Sequence, residues 1–189
     1  MRLRADALLG VASGRLSFAR DLPSPADLGN SLLFVLVFCR LFLLGTGTGL
    51  APWMSVIRDP DVYDLFNQVV VVHSVRRVSD LAYRDWLESK LAEDPLVDEA
   101  AANQLCYVPT VTREDFHTRD RINVLIDDGR LFKDGAAEPA RFDPEHDRIM
   151  LCGSMAMIKE TAELLEGLGF TEGSNAHPGD YVIERAFVG

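Results

Sequence analysis

The residues of this chain whose types and spacing could do chemistry collect in five short segments. They are Gly45-Thr46-Gly47-Thr48-Gly49, His73-Ser74-Val75-Arg76-Arg77, the polar stretch Thr110–Arg121, Cys152-Gly153-Ser154-Met155, and the terminal Glu184-Arg185-Ala186-Phe187. Glycines at alternate positions let a backbone come close to a pyrophosphate, and a helix starting behind them offers free N–H groups and a partial positive charge. The spacing is GxGxG. It lacks the Lys-Ser/Thr pair of a mononucleotide loop and does not meet the ordinary GxGxxG dinucleotide fingerprint. A tight turn with no ligand would use the same glycines.

Arg113 and Arg121 stand eight residues apart. A 2′-phosphate on a dinucleotide ribose needs charge-assisted donors, each worth about 1.5–3 kcal/mol net. At about 1.4 kcal/mol per tenfold, two such arginines would prefer NADP over NAD by roughly two or more powers of ten. Arg76 would supply a third, and no acidic residue ends the second apolar run, where NAD-specific proteins place one for the ribose. The plain alternative is that these are solvated loop charges.

Cys152-Gly153-Ser154 suits a ligand-facing turn, although a lone cysteine is more often a small buried side chain than a nucleophile. His73 and His117 lack metal-ligand spacing, and Cys39, Cys106 and Cys152 form no CxxC, so no metal site is expected. No Gly-x-Ser-x-Gly elbow is present for Ser/His/Asp hydrolysis.

Positioning these segments falls to apolar runs that alternate with helical patterns, the habit of a parallel sheet covered by helices. The runs are Arg40–Leu44, Val69–Val72, Leu105–Val111, Arg148–Cys152 and Tyr181–Val188. Helices are expected at Leu50–Arg58, after an N-cap at Ser79 with Leu81, Leu87 and Leu91 on one face, at Ile122–Asp128, and after Ser154 up to Gly169. The fold class is therefore α/β, a five-stranded parallel doubly wound sheet. In such sheets ligands bind outside the carboxyl ends of the strands. Each segment named above follows or ends a run, and that shared placement says more than any one motif.

Composition narrows the partners. A net charge of −10 excludes a nucleic-acid or anionic-membrane surface, while the basic residues, nearly all arginine, still allow a local phosphate site. The apolar run Ser31–Leu44 is interrupted by Arg40 and is far short of the roughly 20 residues that span a bilayer, so it reads as a buried strand. No small-residue signal-cleavage site follows it. A reduced cytoplasmic setting and a monomer are expected. Residues 1–39 read as an irregular arm and residues 40–189 as the nucleotide-binding domain.

Five ordered motifs carry a family resemblance: Leu43-Leu44-Gly45-Thr46-Gly47-Thr48-Gly49-Leu50-Ala51-Pro52, His73-Ser74-Val75-Arg76, Val111-Thr112-Arg113, Cys152-Gly153-Ser154 and Tyr181-Val182-Ile183-Glu184-Arg185-Ala186-Phe187-Val188. Together they resemble the NADP-binding half of the bacterial ferredoxin–NADP⁺ reductases. The resemblance implies that Gly45, Thr46, Gly47, Thr48 and Gly49 receive the pyrophosphate and face a flavin. It implies that Arg76, Arg113 and Arg121 hold the 2′-phosphate, and that Cys152 and Gly153, beside Ser154, shape the nicotinamide pocket. Ala186 and Phe187 would lie beside the flavin ring, with Glu184 near the hydride-transfer centre. The implied cofactors are NADP and FAD, and the implied partner is ferredoxin or flavodoxin.

Family members also carry an antiparallel FAD-binding barrel with an Arg-x-Tyr-Ser-type motif. Residues 1–39 show neither, so a truncated or frame-shifted product, or a mis-assigned start, is the expectation for this sequence. Two alternatives stand beside the reductase: a non-catalytic NADP-binding fragment without flavin, or the reductase component of an oxygenase system. The latter is disfavoured by the Ala186-Phe187 ending and by the lack of an iron–sulfur cysteine set.

Overall fold

A computed structural model describes residues 40–135, 137–174 and 177–184, together with the backbone of residues 9–12 and 15–18. In that first stretch β1 (Leu9–Ala12) pairs antiparallel with β2 (Arg15–Phe18), Leu9 opposite Phe18. The rest of the expected arm, and the run Ser31–Cys39, lie outside the described residues. No helix among the described residues is long and apolar enough to cross a membrane.

Leu41, Phe42, Leu43 and Leu44 are all fully buried, and so are Val69, Val70, Val71 and Val72. Unbroken apolar runs of this kind belong to strands covered on both faces, and each such side chain contributes about 1.5–3 kcal/mol on burial. They form β3 (Arg40–Thr46) and β4 (Gln68–Val75), followed by β5 (Leu105–Val111), β6 (Asp147–Cys152) and β7 (Tyr181–Ile183). All pairings in this five-stranded sheet are parallel, in the order β5-β4-β3-β6-β7. The chain steps outward from β3 to β5, then returns to the far side of β3. Strand order therefore reverses between β3 and β6, which is where such sheets bind ligands.

Successive strand residues serve opposite faces. Leu41, Leu43, Val69, Val71, Met150 and Cys152 pack under α1 (Leu50–Val56) and α2 (Pro60–Leu65) and against Leu87, Leu91 and Ala101. Ala101 belongs to α3 (Asp98–Gln104). Phe42, Leu44, Val70, Val72, Ile149 and Leu151 pack on the other face against α4 (Ile122–Asp127), α5 (Arg130–Asp134) and α6 (Met155–Gly167). The hydroxyl of Ser154 caps α6 by accepting from the Met157 N–H at 3.3 Å, as its sequence position predicts.

Three expectations need correction. The helix expected over Leu50–Arg58 ends at Val56, and a separate α2 begins behind Asp59, whose carboxylate accepts from the Asp61 N–H at 3.1 Å. Ser79 caps no helix. It sits inside a short 3-10 turn, Val78–Asp80, which the Asp80 carboxylate closes onto the Arg77 N–H at 3.1 Å. Tyr83 then takes a left-handed φ of 59°, and helical backbone resumes at Arg84, running into the wider turn Trp86–Lys90. Leu81, Leu87 and Leu91 are all buried, but Leu81 packs with Val75 and Val111 while the other two join the α1 face. Finally, β7 ends at Ile183, and residues 185–189 lie outside the described residues.

Candidate functional site

Two turns meet where strand order reverses. The first leaves β3 as a 3-10 turn, Gly47–Gly49, and runs directly into α1, with no side chain capping either start and no acidic residue in either first turn. The second is Cys152-Gly153-Ser154 at the end of β6. They touch so closely that a Cβ on Gly49 would overlap the Cys152 carbonyl, and one on Gly153 would overlap Thr46 Oγ1. The Ser154 N–H donates to Thr46 Oγ1 at 2.8 Å, latching the turns together. Gly49→Ala is expected to cost about 1–3 kcal/mol by overpacking, read as a lower midpoint in denaturant unfolding.

Gly45 is buried within β3, in register with Cys152 and His73. Gly47 and Thr48 are exposed, and Gly47 adopts φ 56° with nothing within 4 Å of where a Cβ would stand. This exposed glycine, followed by an uncapped helix start, fits an approaching pyrophosphate. The hydroxyls of Thr46 and Ser154 are used within the protein, so these two residues would meet a ligand chiefly through the turns they hold.

Cys152 is 1% exposed. Burial, and secondarily the Glu184 carboxylate, push its thiol up to about 11. It is therefore neutral at physiological pH, suited to lining a pocket and unsuited to nucleophilic attack. In the folded protein Cys152 is expected to escape iodoacetamide at pH 8, read by peptide mass mapping; prompt carbamidomethylation would contradict this environment. Glu184 follows β7 and donates its backbone N–H to the Leu151 carbonyl at 2.8 Å, which places it beside the end of β6. Ala186 and Phe187 lie outside the described residues.

The arginines stand at the same end of the sheet. Past β4 and β5 the backbones stay paired: Thr112 N–H donates to the Val75 carbonyl and Arg113 N–H to the Arg76 carbonyl, each at 3.0 Å. The Val78 N–H donates to Glu114 Oε2 at 2.8 Å, so the two loops are clamped together. Arg121 begins α4 from the N-cap position. Its place is set by Asp120, which has a positive φ of 139°, accepts from Thr110 Oγ1 through its carbonyl at 2.8 Å and pairs with Arg130 at 2.6 Å. Arg76, Arg113 and Arg121 are exposed, and none of their guanidinium groups has an ion pair among the described residues; the same holds for the exposed Arg77, Arg119 and Arg141, whereas Arg40, Arg58, Arg84, Arg130 and Arg148 are paired. What distinguishes Arg76, Arg113 and Arg121 is their place beside the carboxyl ends of β4 and β5, where an anionic ligand of such a sheet would lie.

His73, Glu114 and Asp120 lie inside the candidate segments, but their holding roles, and that of Arg130, are not visible in the sequence. Only non-local pairing gives them their roles. Among the described residues no three His, Cys, Asp or Glu side chains gather to hold a metal ion.

A doubly wound sheet with a glycine turn and an uncapped helix start at its switch point, and exposed arginines beside it, is the architecture of a dinucleotide-binding domain. The chain belongs to the oxidoreductase NAD-binding domain family, whose model matches residues 43–163. It is 54% identical over 149 residues to ferredoxin–NADP reductase A of Sorangium cellulosum (strain So ce56), covering 79% of this chain and 53% of that protein. It is 46% identical over 150 residues to the ferredoxin–NADP reductase of Azotobacter vinelandii, covering 79% and 57%. With the flavodoxin/ferredoxin–NADP reductase of Rhodobacter capsulatus the identity is 43% over 150 residues, covering 79% and 55%. The chain thus spans about half the length of these curated relatives. Among solved structures, a ferredoxin NADP⁺ reductase from Neisseria gonorrhoeae with bound FAD and NADP superposes with a TM-score of 0.65 at 26% identity, over 79% of this chain and 58% of that one. The resemblance read from the five motifs is borne out.

Proposed function

We propose that this chain is the NADP(H)-binding half of an oxidoreductase of ferredoxin–NADP⁺ reductase type, serving hydride exchange between NADPH and FAD and one-electron exchange with ferredoxin or flavodoxin. The observation that carries the proposal is the junction of the Gly45–Gly49 and Cys152–Ser154 turns at the switch point, with exposed arginines past the ends of β4 and β5. The names of the relatives from Sorangium, Azotobacter and Rhodobacter supply the partner class.

The residues divide the dinucleotide among them. Arg113 and Arg121, helped by Arg76, take the 2′-phosphate. The backbone of Gly47 and Thr48 approaches the pyrophosphate. Cys152, neutral and buried, and Gly153 wall the nicotinamide and keep water from it, with Glu184 at the edge. Alignment and dryness are what a protein contributes to hydride transfer. FAD, which the Neisseria structure binds together with NADP, would supply the two-electron to one-electron conversion.

A second reading is a domain that binds NADP and works with a flavin held elsewhere. Absorbance spectra and NADPH-driven ferricyanide reduction, with and without added FAD, separate the two. The reductase reading predicts bound flavin and acceptor reduction. A colourless protein that gains no flavin from added FAD would remove catalysis by this chain and leave the NADP-binding reading.

A further inference from the structure

The exposed centre of the glycine turn has almost nothing packed on it. Gly49 and Gly153 are fixed by the contact of the two turns, and Thr46 by the Ser154 N–H. Gly47 has no such neighbour, yet it holds a left-handed φ of 56°. Its carbonyl accepts from the Leu50 N–H, which closes the turn locally. The one side chain tying it to the sheet, among the described residues, is His73, whose Nε2 lies 3.0 Å from the same carbonyl.

His73 lies in the buried part of β4 and is itself fully buried. A carbonyl only accepts, so Nε2 carries the proton. Burial disfavours the charged ring and holds it neutral, so Nδ1 is the bare nitrogen and accepts from the Tyr107 hydroxyl of β5 at 3.3 Å. The two bonds fix the ring's tautomer and orientation. The Gly47 carbonyl and the Thr48 N–H belong to one trans peptide plane and point in opposite directions. Drawing the carbonyl inward to β4 therefore turns the Thr48 N–H outward, toward the open side of the turn.

We infer that His73, oriented by Tyr107, is a positioning residue: it anchors the Gly47 carbonyl so that the Thr48 N–H is presented to the pyrophosphate of the dinucleotide. The inference rests on the proposed placement of the pyrophosphate at this turn. It assigns His73 no contact with the ligand and no proton transfer.

The test compares NADP⁺ with 2′-AMP, which carries the 2′-phosphate but no pyrophosphate, by calorimetric titration of the whole chain. His73→Leu is expected to weaken NADP⁺ by about five- to tenfold, the worth of one hydrogen bond, and to leave 2′-AMP within twofold of wild type. His73→Gln, which keeps an N–H donor, is expected to recover part of the loss. Tyr107→Phe should show the same ligand pattern with a smaller loss, and it decides the matter should His73→Leu fail to fold. Equal loss of both ligands would mark general structural damage and overturn the inference, as would unchanged NADP⁺ binding. Wild-type protein that binds NADP⁺ no more tightly than 2′-AMP contradicts the pyrophosphate placement itself, which is a different failure.

Discussion

Arg113→Ala is expected to weaken NADP⁺ binding by about one to two powers of ten and to leave NAD⁺ binding unchanged. A guanidinium that meets a phosphate contributes about 1.5–3 kcal/mol through charge-assisted bonds, and about 1.4 kcal/mol is a factor of ten. The substitution is clean. Arg113 is exposed, its side chain has no ion-pair partner among the described residues, and its tie to Arg76 runs through the backbone, which alanine keeps. Arg121→Ala should behave alike, since Arg121 starts α4 without capping it through its side chain. Both effects should shrink as salt rises, because the site is open to screening. Titration of each variant with both dinucleotides is the check. An equal loss for NADP⁺ and NAD⁺ would show that the arginines hold something common to both, such as the adenosine or the pyrophosphate.

At the other end of the same strands, Asp147→Ala is expected to cost about 3–5 kcal/mol of folding stability. Set against a total of about 5–15 kcal/mol for a domain, that is a large share. Arg40 and Asp147 are neighbours in register on β3 and β6, exposed by 3% and 0%. Arg40 grips the carboxylate with two bonds, from Nε at 2.6 Å and Nη2 at 2.7 Å, and also donates to the carbonyls of Pro139 and Arg141. The second carboxylate oxygen accepts from the Asp143 N–H at 2.7 Å. Removing Asp147 strands a buried cation and an amide together. Denaturant unfolding reads the loss. A change under about 1 kcal/mol would mean that water reaches Arg40. The pair lies at the start of the strands, so variants that fold should bind NADP⁺ normally.

How much of this was legible in sequence follows from which interactions are local. Val69–Val72 and Leu41–Leu44 announced a doubly covered sheet because burial on both faces removes alternation. Ser154 announced α6 because a cap acts across three residues. The clustering of Gly45–Gly49, Arg113 and Cys152–Ser154 at strand ends points to a ligand site, and the family resemblance of the ordered motifs makes that ligand a dinucleotide.

What escaped the reading is non-local. Arg40 looked like an interruption of an apolar run, because its partner is more than a hundred positions away. His73 stands in a candidate segment, but its role is invisible there, since its partners come from the β3 turn and from β5. Ser79 looked like a cap, but Leu81 and Leu87 serve different clusters, so their spacing mimicked one helix face. Gly49 and Gly153 were read as ligand-facing, whereas the structure adds a constraint invisible in either segment: each must be bare for the other turn to approach.

The central claim is that the switch point of this sheet holds a dinucleotide bearing a 2′-phosphate. Side-by-side calorimetric titrations of the whole chain with NADP⁺ and NAD⁺ test it most directly. Saturable one-to-one binding of NADP⁺, at least about a hundredfold tighter than NAD⁺, is expected. Absence of NADP⁺ binding, or equal affinity for the two, would contradict it.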